Sequence, residues 1–136
     1  MSNLPKDIIV EAAGGLSFGD YTAKDKIKVN DFAHMGNIYS LRSHNQVTRL
    51  EKNSEMLIET VPGATIYNFS LDDATCSFDI AGDAGVQVTL SLAPETTYHL
   101  RVTGEVSEEI AANRSGKLSF GAVLSSEPLK VILEKL

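Results

Sequence analysis

The chain has 136 residues, 43% of them apolar and 22% charged, with a net charge of −6 and no tryptophan. One domain spanning 1–136 is the expectation, because a chain of this size buries roughly two thirds of its unfolded surface and needs no metal or disulfide to fold. The acidic balance argues against nucleic acid as a partner, since that binding depends on clustered Lys and Arg, and against an anionic membrane surface.

Cys76 is the one cysteine, so no intrachain disulfide can form. No run approaches the ~18 apolar residues of a spanning helix. Residues 1–7 lack a basic segment followed by a long apolar run, so a cytoplasmic protein with no membrane contact is expected.

In chain order, Ile8-Ile9-Val10 is β-rich and ends at Ala12-Ala13-Gly14-Gly15. Leu16 and Phe18 share parity, and 26–29 alternates until Asn30-Asp31 breaks the pattern. Strands are expected at 37–42, 46–50 and 56–60, with turns at Ser43-His44-Asn45 and 51–54, which makes a three-strand meander. Val61-Pro62-Gly63 suits a type II turn. It also marks a sub-boundary at 61–63 between the meander and an immunoglobulin-like half. Strands follow at 64–69 and 76–80. The run 105–112 is the one stretch with helix preference, and strands at 117–124 and 129–133 close the chain. Ten to twelve short antiparallel strands with regular turns are the pattern of an all-β protein, a β-sandwich of immunoglobulin-like or jelly-roll-like type.

The stretch 85–104 is the most strongly patterned. Val86, Val88, Leu90 and Leu92 oppose Gln87, Thr89 and Ser91; after a Pro94 connection, Tyr98, Leu100 and Val102 oppose His99 and Arg101. Two antiparallel strands joined at a corner are expected. The apolar set should share one core with Leu118 and Phe120. The motif Leu92-x-Pro94-x-Thr96-x-Tyr98 resembles the tyrosine corner of fibronectin type III and related immunoglobulin-like domains. The resemblance implies that Tyr98 packs inward and that its hydroxyl bonds to upstream backbone. Glu95 stands where that family usually has Gly.

A second resemblance rests on the segments 16–21, 47–53, Val61-Pro62-Gly63 and 115–120. Together they resemble a family of short bacterial all-β proteins sometimes labelled endosialidase-like. The resemblance implies a stand-alone β protein and brings no catalytic motif that can be placed on this chain. Ser54 stands where Gly is expected after Lys52-Asn53.

Candidate chemistry is sparse. His34, His44 and His99 lack zinc-site spacing, and no cofactor or metal is expected. Asp72, Asp73, Asp79 and Asp83 offer calcium-type oxygens without EF-hand spacing, and Asp residues that bond their own backbone in turns explain them equally well. No G-x-S-x-G occurs, and Cys76 shares parity with Phe78 and Ile80 as a small hydrophobe would. Arg42 and Arg49 straddle the Ser43-His44-Asn45 turn with Tyr39 nearby. Tyr39, Arg42, His44 and Arg49 are thus the candidate polar recognition patch, for an acidic sugar or carboxylate, because Arg presents a bidentate fork.

The functional expectation is a non-catalytic sandwich for binding or self-assembly, with a glycan or protein ligand. The alternative is a glycan-active hydrolase of endosialidase-like type or a carbohydrate-binding module. A homo-oligomer is expected because an open sheet leaves edges, although Lys26, Lys28, Lys117 and Lys130 could protect them.

Overall fold

The structure is a computed structural model that describes residues 9–12, 15–103 and 107–136. Within them lie thirteen strands: β1 (Ile9–Ala12), β2 (Gly15–Phe18), β3 (Ile27–His34), β4 (Asn37–Ser43), β5 (Thr48–Lys52), β6 (Glu55–Val61), β7 (Thr65–Leu71), β8 (Thr75–Ala81), β9 (Gly85–Ser91), β10 (Thr97–Val102), β11 (Glu108–Ala111), β12 (Lys117–Val123) and β13 (Leu129–Lys135). They make two antiparallel sheets. The seven-stranded sheet runs β1-β2-β7-β8-β13-β10-β11 and the six-stranded sheet β12-β9-β6-β5-β4-β3. The two pack as a β-sandwich.

Period-two alternation decides which side chains enter the core. Val86, Val88, Leu90, Tyr98, Leu100, Val102, Leu118 and Phe120 are buried, with Leu92 half-buried against them. Gln87 is exposed, and Thr89 and Ser91 are half-buried on the outer face. Phe18, Phe69 and Phe78 fill the centre, with ring centroids 6.1 and 5.7 Å apart in successive pairs.

The strands on either side of Pro94 do not pair with each other. β9 lies in the six-stranded sheet and β10 in the seven-stranded one, so the corner carries the chain across the sandwich. Tyr98 is buried there, and its Oη accepts a bond from Ala93 N–H, five residues upstream, at 3.1 Å. Glu95 holds the turn at φ 51°, in the left-handed region.

Other local expectations need correction. The meander has four strands, not three, because β3 runs through Asn30-Asp31. A bulge between Val29 and Phe32, with Asp31 at φ 59°, absorbs the break. Val61–Pro62 is cis and Gly63 has no positive φ, so 61–63 is not a type II turn. Strands on both sides of 61–63 pair with each other, β6 with β9 and β2 with β7. The helix-preferring run begins at Glu105-Val106, outside the described residues, and continues into strand β11. There, pairing with β10 overrides the local preference of Glu108 and Glu109. Ile8, Ala13 and Gly14 also lie outside the described residues.

The antiparallel order gathers the turns into two ends. One end holds the links after β2, β4, β6, β8 and β12. It is stitched by a directional chain of bonds: Asp20 N–H donates to Ser43 Oγ at 3.0 Å, Ser43 to Thr48 Oγ1 at 2.9 Å, and Thr48 to Ala64 O at 2.7 Å. Gly63 packs against the turn after β4, where an added Cβ would lie 2.0 Å from His44 O. The other end holds the links after β3, β5, β7, β9 and β11, and there the sheets part into a groove.

Candidate functional site

The four patch residues are distributed by parity. On β4, Tyr39, Leu41 and Ser43 point inward, while Ile38, Ser40 and Arg42 point outward. Tyr39 and Arg42 are three positions apart, so one strand places them on opposite faces. His44 is half-buried in the turn after β4. Arg42 and Arg49 do come together, as direct cross-strand partners of β4 and β5.

That pair belongs to a row crossing the whole outer face of the six-stranded sheet. Lys28 opposes Arg42, Arg42 opposes Arg49, Arg49 opposes Glu59, Glu59 opposes Thr89, and Thr89 opposes Ser119. Like charges directly opposite each other destabilise a sheet by a few tenths to about 1 kcal/mol per pair. Arg49 is compensated. Its Nε donates to Glu51 and its Nη1 to Glu59, both at 3.1 Å. Partial burial works against its charge, but the Glu59 and Glu51 carboxylates outweigh burial and hold the guanidinium above its ordinary value. Arg42 and Lys28 are not compensated: among the described residues neither carries an ion pair.

Lys28, Asn30, Ser40, Arg42, Arg49 and Glu51 surround a cleft of about 90 Å³. Its rim of cations and polar side chains suits a carboxylate, which can accept a bidentate bond from a guanidinium.

The groove at the other end holds about 370 Å³ between the sheets, with Leu16, His34, Tyr39, Leu57, Phe69 and Asp72 among its walls. It adjoins a second hollow of about 550 Å³ that shares Lys52, Leu71 and Asp72 and reaches Tyr98 and Lys135. His34 is nine-tenths buried, and its Nδ1 lies 2.5 Å from Glu11 Oε2, joining edge strand β3 to edge strand β1. A carboxylate can only accept from this nitrogen, so Nε2 is the free ring position. Tyr39 meets the His34 ring edge-on, and burial raises its phenol above the ordinary value.

The Glu11–His34 pair carries no signal of its own in the sequence. Its partners are 23 residues apart and meet only because two sheet edges face each other.

Little here is arranged for bond cleavage. Among the described residues no hydroxyl or thiol is hydrogen-bonded to His34 Nε2. Asp72 in the groove accepts from Ala74 N–H and Thr75 N–H, each at 2.8 Å, which holds its carboxyl below the ordinary value and makes it a poor proton donor. Cys76 is buried, and desolvation pushes its thiol up to about 12. Among the described residues no three His, Cys, Asp or Glu side chains converge as metal ligands.

No protein-family model, curated protein or solved structure matches the chain.

Proposed function

We propose that this protein is a non-catalytic β-sandwich that binds a carboxylate-bearing ligand, an acidic sugar among them, on the outer face of its six-stranded sheet. The observation that carries the reading is Arg42, flanked by Lys28 and Arg49 and lacking a carboxylate of its own. A cation held between two others lowers stability, and an incoming carboxylate relieves that repulsion while accepting a bidentate bond from the guanidinium. Asn30 and Ser40 beside it offer partners for ligand hydroxyls. The Tyr98–Ala93 bond supports an immunoglobulin-like reading of the corner between β9 and β10.

Calorimetric titration with N-acetylneuraminic acid, and with its methyl ester, tests the reading. Saturable binding of the acid and little of the ester is expected. Arg42→Gln should weaken the acid ten- to a hundredfold, the effect of losing about 1.5–3 kcal/mol of charge-assisted hydrogen bonding. Equal affinity for acid and ester would remove the proposal. Release of sugar from polysialic acid by the purified chain, abolished by Glu11→Gln or Asp72→Asn, would replace it with the hydrolase.

A further inference from the structure

Four strands close the two sheets, and three of them are blunted against pairing with another chain. Among the described residues β1 and β11 have four residues each, and β11 carries Glu108 and Glu109 side by side. β3 is longer, but it is bent by the bulge between Val29 and Phe32 and carries Lys28 and Asp31. Short length, charge and bulges are the devices by which natural sheets keep their edges from pairing.

β12 is neither short nor bulged, and its one guard, Lys117, stands at its end with its ammonium turned back onto Ser91 Oγ of β9 at 2.7 Å. Its seven residues, Lys117–Val123, pair one-to-one with β9 at every position without a register shift. They include no proline, and Lys117, at one end, is the sole charge. Val123 is 80% exposed. Lys130, expected as an edge guard, lies on interior strand β13, its ammonium 3.6 Å from Asp79. β12 therefore presents a straight, nearly uncharged edge of roughly 23 Å at strand rise.

We propose that β12 pairs antiparallel with β12 of a second copy of this chain, joining two six-stranded sheets across a two-fold axis at Phe120. This stands apart from the ligand reading above, because the Arg42 cleft lies toward the opposite edge of the sheet. The sequence suits this register. Phe120 meets Phe120 on the core side, Ser119 meets Gly121, and Lys117 meets Val123, so no like charges oppose each other. The antiparallel sense also brings the exposed Arg114 that precedes one strand toward the exposed Glu127 that follows the other. A contact of a strand with itself closes after two copies, and the blunted edges stop further growth.

Light scattering across a dilution series reads the outcome. The chain should show twice its 14.7 kDa mass and fall toward the single mass on dilution. Ser119 and Gly121 are exposed, and a Cβ at Gly121 has nothing nearer than Val86 O at 3.7 Å, so both positions accept larger side chains. Ser119→Lys with Gly121→Lys sets lysines against lysines across the axis. It should leave a folded monomer with unchanged circular dichroism. Ser119→Lys with Gly121→Glu sets lysine against glutamate and should restore the dimer. Single mass at every concentration of the unaltered chain, or a double-lysine variant that stays dimeric, would overturn the proposal.

Discussion

At the stitched end of the sandwich, three links distant in sequence are joined by Asp20 N–H, by Ser43 and Thr48 on either side of one turn, and by Ala64, and Gly63 lets two links approach to contact. At the grooved end the sheets part over His34 and Tyr39. The turns there place Met35, Asn53, Ser54 and Glu95 at positive φ, whereas among the described residues of the stitched-end links Gly19 alone has one. L-residues in that region lose roughly 1–2 kcal/mol each, and glycine far less. One end thus spends small residues and hydroxyls on closure. The other carries positive-φ turns beside the groove between the sheets.

The largest test of this difference is Gly63→Ala. Its Cβ would collide with backbone, not with a side chain that could swing aside. Overpacking of this kind should destabilise by about 3 kcal/mol or more, read as a lowered urea midpoint. A midpoint within error of the parent would mean that the stitched end is as loose as the other.

Thr48→Val keeps shape and removes the hydroxyl at the middle of the chain of bonds. It leaves Ser43 Oγ–H, Ala64 O and Ala64 N–H, which donates to the same hydroxyl at 3.2 Å, without their partner in a buried site, so a loss of about 1–3 kcal/mol is expected. Faster amide exchange at Ala64 should accompany it, and slow exchange there would show that the hydroxyl is not what holds this end.

The smallest effect has the opposite sign. Ser54→Gly relieves φ 71° in the hairpin between β5 and β6 and makes the Asn-Gly sequence that such turns favour. Thermal unfolding should show a gain of up to about 1 kcal/mol. Glu95→Gly, at φ 51°, should behave alike. A loss at either site would show that the side chain contributes more there than the strain removes.

Both positions are departures from the families the sequence resembles, which have glycine there, and the structure places both residues at positive φ. The inward set from Val86 to Val102 was legible because alternation is a property of one strand and needs no knowledge of its neighbours. Parity also separates Tyr39 from Arg42, a signal present in the sequence that proximity along the chain obscured. Arg42 against Arg49 follows from a hairpin whose turn lies midway between them.

What alternation cannot supply is the identity of the neighbour. β9 and β10 would show the same pattern side by side in one sheet or facing each other across the core, because each strand buries one face in both cases. The same ambiguity hid Lys28 beside Arg42, Glu11 beside His34, and the open edge at β12, which depend on strand order and on which ends meet. Period and turn chemistry, being local, were set by the amino acids in order. Pairing partners, the groove and the position of β12 at a sheet edge arise from contacts between residues far apart in the chain, and only the packed sandwich decided them.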